Sequence, residues 1–280
     1  MVNLDVFAEG FGYLESPRWH AGRLWLSEFD RKRVVTVAAD GTADHFADVP
    51  GTPSGLAFRD GSVLVSSMRT GEILAVDSEG RLTTFAHLAG VAVGHLNDMV
   101  RSDRDVLYVG CFGYDLAARE KPRPGPLIAV DGAGQVRVAC PDVTFANGMI
   151  VTAGGRELLV AETPKRIVTR FRIADDGSLA DRAVFADLGG RRQPDGLCVD
   201  AEGGIWAGCP FTEEFVRVDR AGKITHVVPT PGRWAIACAL GGEDGATFFG
   251  LTAETDLGRY ARGTSVGRVE VGSAPYPARS

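Results

Sequence analysis

The sequence has no CxxC pair, and its five cysteines (Cys111, Cys140, Cys198, Cys209 and Cys238) are odd in number and widely scattered. That excludes a disulfide scaffold and a cysteine-built zinc centre, and it fits small buried thiols in a reducing compartment. No apolar run approaches the roughly 18 residues needed to cross a bilayer as a helix, so no membrane partner is expected. The opening MVNLDVFAEG has neither the basic start nor the apolar core of a signal peptide, which points to a cytoplasmic protein. The formal net charge is −6, and the basic clusters are short, such as Arg31-Lys32-Arg33. Nothing here could neutralise a row of phosphates, so nucleic acid is not an expected partner. Ser16 and Ser54 stand in no nucleophile elbow, which argues against a covalent serine mechanism. No segment carries a sustained 3.6-residue apolar stripe, so helices are not the main building material.

What the chain does have is strands. RVVTVAA, SVLVSS, EILAVD, VLYVGC, ELLVAE and GIWAGC are short β-branched runs, and Gly- and Asp-rich turns separate many of them. A longer pattern overlies these runs. A polar residue, an apolar run, a tight turn and a second apolar run recur six times, beginning at Ser16, Pro53, Leu96, Ala146, Pro194 and Ala237. The period is roughly 40–50 residues, the length of a propeller blade. Residues 1–280 are therefore read as one all-β domain, a six-bladed β-propeller with four-stranded blades. LDVFAE near the start and GRVEVG near the end are both strand candidates, and their pairing would close the ring. Residues 113–126 are rich in proline and charge, and they are expected as a loop at the ligand-facing mouth.

Aligning the repeats places Glu15, Asn97, Asn147 and Asp195 just ahead of the inner strands, at one end of the central channel. Two carboxylates and two amide oxygens form a hard-oxygen set suited to Ca²⁺ or Mg²⁺ and tolerant of Mn²⁺ or Zn²⁺. Asn-Gly, Asn-Asp and Asp-Gly are also ordinary turn dipeptides. The shared register is what argues for a site.

The motifs Glu15-Ser16-Pro17-Arg18-Trp19, Leu96-Asn97-Asp98, Asn147-Gly148-Met149 and Pro194-Asp195-Gly196 resemble those of the senescence-marker-protein/gluconolactonase/regucalcin family of six-bladed propellers, in the same order. The resemblance implies a metal-dependent hydrolase that opens a lactone. It implies Glu15, Asn147 and Asp195 as ligands of one divalent ion, with Ca²⁺ ahead of Zn²⁺, Mn²⁺ and Mg²⁺. It implies Asp195 as general base and Asn97 as a catalytic group touching substrate or water. Two other readings stay open: a phosphotriesterase-like propeller enzyme, and a non-enzymatic metal- or partner-binding propeller. Sugar-lactone members commonly carry an arginine two residues before the Asn of the Asn-Asp pair; this chain has His95 there. In an extended strand His95 and Asn97 share a side, so His95 is expected to face the pocket. Met99 stands where glycine is common. Arg18 and Tyr114 join His95 and Asn97 as substrate-binding candidates. Arg69, Phe112 and Trp234 are further groups expected near the mouth. These departures suggest a less polar substrate than an aldonolactone. Asp98 is expected to orient the Asn97 turn, and Glu28 and Glu162 to support the site from behind or to be edge charges. The expected partner is a small lactone, bound by a monomer or weak homo-oligomer.

Overall fold

The structure is a computed structural model that describes residues 2–115 and 120–278. Among the described residues the strands form six antiparallel four-stranded sheets. The sheets stand around an axis as the blades of a propeller. Their innermost strands are Leu14–His20, Pro53–Arg59, Leu96–Arg101, Ala146–Val151, Leu197–Val199 and Trp234–Gly241, and these pack on one another around the centre. Each runs away from the same end of the channel, here called the mouth. The second strand of each blade returns to that end, so the loops between second and third strands also gather there.

The ring closes as the terminal sequences imply. Asp5–Phe11 pairs with Val266–Ser273 and becomes the outermost strand of the sixth blade. Strand alternation explains why strands within the blades are apolar on both faces. Val34 packs toward the second blade and its neighbour Val35 toward the sixth; Leu158 and Leu159 divide in the same way between the third and fifth. Each blade-to-blade contact therefore has its own apolar cluster. A fully buried Val or Leu contributes about 1.5–3 kcal/mol to such a cluster.

Two features of the inner strands shape the site. The first is a repeated break in register: the ladders shift between Glu15 and Arg18, Pro53 and Leu56, Leu96 and Met99, and Ala146 and Met149. A bulge re-aims the side chains beside it. Repeated at one height, it turns the residues at the strand starts toward the axis. The second is close approach. A Cβ on Gly148 would lie 2.3 Å from the Asp195 carbonyl oxygen, and one on Gly196 would lie 2.3 Å from the Ala237 Cβ. The Asn147-Gly148 and Asp195-Gly196 pairs are thus not turn formers here. Their glycines let adjacent inner strands touch where the polar side chains converge.

The 113–126 segment does leave from the mouth, where the second strand of the third blade ends at Cys111. Residues 116–119 of that expected loop lie outside the described residues. Among the described residues no helix is long and apolar enough to cross a membrane.

Candidate active site

A cavity of about 190 Å³ opens at the mouth, and Glu15, Asn97, Asn147 and Asp195 all line it. These four side chains are 4–6% exposed, so the register argument brings together residues that are both buried and central. Their hydrogen bonding is lopsided. Asn147 Nδ2 donates to Thr163 Oγ1 at 3.2 Å, and Thr163 in turn donates to the Pro194 carbonyl at 2.7 Å. This anchors the nitrogen end of the amide and leaves Asn147 Oδ1 buried with no donor. Asp195 Oδ1 is likewise buried and unpartnered. Asn97 is more occupied: Nδ2 donates to the Ala146 carbonyl at 3.1 Å, and Oδ1 accepts a long 3.4 Å bond from Ser54 Oγ.

Buried acceptors without donors are rare and call for an explanation. Burial pushes the Glu15 carboxyl well above its ordinary range, and the charges of Asp195 and Asp98 push it further. Asp195 is pushed up to about 7, by burial first and then by Asp98. At Glu15 the Arg18 charge pulls the other way but does not offset this rise. No cationic side chain among the described residues lines the cavity. Among the described residues no three His, Cys, Asp or Glu side chains form a metal-holding group, so a cation site here would draw on amide oxygen beside the two carboxylates. Glu15, Asn147 and Asp195 together offer the acidic, oxygen-only donor set that a hard divalent cation takes. The residues fit such an ion.

The segments carrying these groups are held from behind. The Glu28 carboxylate accepts the Gly12 amide at 2.7 Å and is paired with Arg33 at 2.6 Å and Arg31 at 3.0 Å. At the equivalent place three blades on, Glu162 accepts the Thr144 amide at 2.9 Å and pairs with Lys165 at 2.7 Å and Arg182 at 3.0 Å. Gly12 and Thr144 each stand three residues before a site residue, Glu15 and Asn147. The two glutamates fix the entry of those strands.

The sequence matches the SMP-30/gluconolactonase/LRE-like region over residues 14–254. The chain belongs to this family. Regucalcin of Gallus gallus is 31% identical over 146 residues, a stretch covering 48% of this chain and 49% of that one. A solved structure described as a calcium-binding protein, regucalcin, from Agrobacterium tumefaciens superposes with a TM-score of 0.81 at 20% identity, covering 99% of this chain and 97% of that one. A gluconolactonase from Xanthomonas campestris superposes with a TM-score of 0.77 at 21% identity, covering 98% and 90%. At these identities the superpositions establish a shared fold.

Within this SMP-30/gluconolactonase-type propeller, the other sequence candidates divide. Tyr114, Phe112 and Trp234 line the cavity. Arg18 does not. Its guanidinium bridges Asp98 Oδ1 (2.9 Å) and the carbonyls of Leu56, Met99 and Pro17, tying the first three inner strands together. It is spent as a brace and is not a substrate grip. Asp98 also accepts from Ser16 Oγ at 2.7 Å and from the Met99 amide at 2.8 Å, so it holds the bulge beside Asn97. His95 also lies outside the lining. The strand begins only at Leu96 and bulges at once, so the extended geometry that would aim His95 with Asn97 is absent. Its ring instead stands 5.7 Å from that of Phe112, which does face the cavity. Burial and the nearby Arg69 lower its pKa. Arg69 is exposed and does not line the cavity.

Several lining residues escaped the sequence reading: Tyr13, Phe29, Met68, Phe145, Gln193 and Tyr260. Five of them obey the repeat. Phe29, Met68 and Phe112 each follow the last residue of a second strand, as do Thr163 and Pro210. Tyr13, Phe145 and Gln193 stand two residues before Glu15, Asn147 and Asp195. Tyr260 obeys no repeat, because it rides on the short helix Leu257–Arg262 at the mouth. Burial and the adjacent Asp195 and Glu15 raise the Tyr13 phenol far above its ordinary pKa, and burial with the same two carboxyls raises Tyr260. Both phenols stay protonated as donors.

Proposed function

We propose that this protein is a divalent-cation-dependent hydrolase of a lactone. The observation that carries the reading is the pair of buried, donorless oxygens, Asn147 Oδ1 and Asp195 Oδ1, beside the desolvated Glu15 carboxyl. Glu15, Asn147 and Asp195 would hold the ion. The relative from Agrobacterium is described as calcium-binding, which favours calcium, and the relative from Xanthomonas as a gluconolactonase, which favours a lactone. When bound, such an ion acts as a Lewis acid toward a ring-ester carbonyl.

The remaining chemistry belongs to side chains of this chain. Asp195 is placed to accept the proton of an attacking water, a role worth about 10²–10⁴ in rate. Asn97 keeps one amide hydrogen free to orient that water. Thr163, through Asn147 Nδ2, positions the amide oxygen. The Tyr13 and Tyr260 phenols can donate to oxygens of the substrate as charge builds on them. The aromatic wall keeps bulk water away.

Hydrolysis of a lactone panel, followed by pH-stat titration after chelation and after return of Ca²⁺, Zn²⁺, Mn²⁺ or Mg²⁺, tests the proposal. Turnover that vanishes with chelator and returns with one cation is expected. Turnover indifferent to chelator, or hydrolysis of no lactone, would overturn it.

A further inference from the structure

Resting on the lactonase reading, we propose that the cavity takes an uncharged lactone bearing a fused or attached aromatic ring, and not a polyhydroxylated sugar lactone. Among the described residues, six polar side chains besides the phenols and the Trp234 indole line the cavity: Glu15, Asn97, Asn147, Thr163, Gln193 and Asp195. Three of them form the oxygen set assigned to the cation. Thr163 is used by Asn147 and the Pro194 carbonyl, and Asn97 has spent one amide hydrogen on the Ala146 carbonyl. Arg18, Arg69 and His95, three described groups able to grip hydroxyls or an anion, lie outside the lining.

Among the described residues that leaves Gln193, the Trp234 indole and the phenols for a substrate. A sugar lactone carries a hydroxyl on nearly every ring carbon. Each hydroxyl taken from water without a partner weakens binding, and a site selects such groups only where it is built to pair them. This cavity is built otherwise. Phe112 and Phe145 stack with centroids 4.3 Å apart at 21°, and Tyr114 leans on Phe145 at 5.8 Å. Phe211 meets Trp234 edge-on at 5.0 Å. Aromatic surfaces of this kind favour offset or edge contacts with a further ring. Among the described residues the lining holds no cationic side chain, which disfavours a substrate carboxylate or phosphate. The volume, about 190 Å³, lies below the ~300–1,000 Å³ of drug-sized pockets and fits a small compact ligand.

The test separates binding from turnover. Calorimetric titration of the Ca²⁺-loaded protein uses two lactams that mimic lactones without being hydrolysed: 3,4-dihydroquinolin-2-one and gluconolactam. The aryl lactam should bind at least about tenfold more tightly. Equal or tighter binding of gluconolactam, or binding of neither, overturns the substrate assignment. Phe211→Ser alters a rim side chain that is 40% exposed, so the fold should be unaffected. It should weaken the aryl lactam by about three- to tenfold with little change in Tm. Unchanged affinity overturns the role of the wall. Turnover of dihydrocoumarin and of glucono-δ-lactone is measured separately. If the aryl lactam binds and neither ester is opened, the hydrolase reading fails while the pocket assignment stands. If glucono-δ-lactone is the better substrate, the hydrolase reading stands and the pocket assignment fails.

Discussion

Glu28 and Glu162 lie as deep in the protein as Glu15 and Asp195, yet the two pairs live in opposite surroundings. Glu162 is fully buried, but it receives hydrogen bonds from a backbone amide, a threonine, a lysine and an arginine. Burial alone would raise its pKa; these donors more than offset that and hold it below the ordinary range. Glu15 and Asp195 have burial without matching donors, and their pKa values rise. The difference teaches how to tell structural acids from functional ones at similar depth. A buried carboxylate whose partners are all supplied by the chain is part of the frame. One whose partners are missing is waiting for something the chain does not supply.

The comparison can be broken at either pair. The largest effect is expected at the unpartnered acids: Asp195→Asn should lower kcat by about a hundredfold or more while the fold persists, as steady-state kinetics and circular dichroism would show. A loss of structure instead would mean that Asp195 belongs to the frame. Next comes Glu162→Ala, which removes the partner of Lys165, Arg182 and the Thr144 amide. Truncating a fully buried pair costs about 3–5 kcal/mol. Because both cations are partly exposed, about 2–4 kcal/mol is expected from urea denaturation.

A third test uses pH. In the cation-free protein the Glu15 and Asp195 pKa values lie above their unfolded values, so the native state holds more protons than the unfolded chain in this range. The Asp195 contribution to stability is therefore complete below about pH 4 and is lost as pH rises through about 7, and that of Glu15 is likewise lost as pH rises above its unfolded value. A cation replaces those protons, so its stabilisation should grow across the same interval. Calcium at a hundred times its Kd stabilises by about 2.7 kcal/mol. The Tm gain with calcium should be larger at pH 8 than at pH 5, and an equal gain at both would contradict the assignment. The smallest effects are expected at the residues that the structure places outside the cavity. Arg18→Met should cost about 1–3 kcal/mol of stability with little change in KM. His95→Gln should leave kcat/KM within about threefold.

Much of this arrangement was legible before any coordinates. The repeat gave the blade number, the ring closure and the convergence of Glu15, Asn97, Asn147 and Asp195, because a propeller turns sequence period into position around an axis. The same register would have found Tyr13, Phe145 and Gln193 had it been applied two residues earlier in each repeat. It would have found Phe29 and Met68 had it been read at the ends of the second strands. Misplacing His95 and Arg18 has a physical cause. Simple alternation does not survive a bulge, and the bulge at Leu96–Met99 breaks the rule that ties His95 to Asn97. Arg18 was judged by its chemistry alone, and three backbone carbonyls with Asp98 claim that chemistry from within the wall. Tyr260 follows no repeat because its helix interrupts the sixth blade.

The most direct measurement is a calorimetric titration of Ca²⁺ into the chelator-stripped wild-type protein and into Asn147→Ala. Asn147 carries no charge, so electrostatic attraction alone cannot explain its effect. One ion bound per chain, with affinity reduced at least about tenfold by the substitution, is the predicted result. Undiminished binding in the variant, or no binding in the wild type, would show that these oxygens do not meet at a common ion.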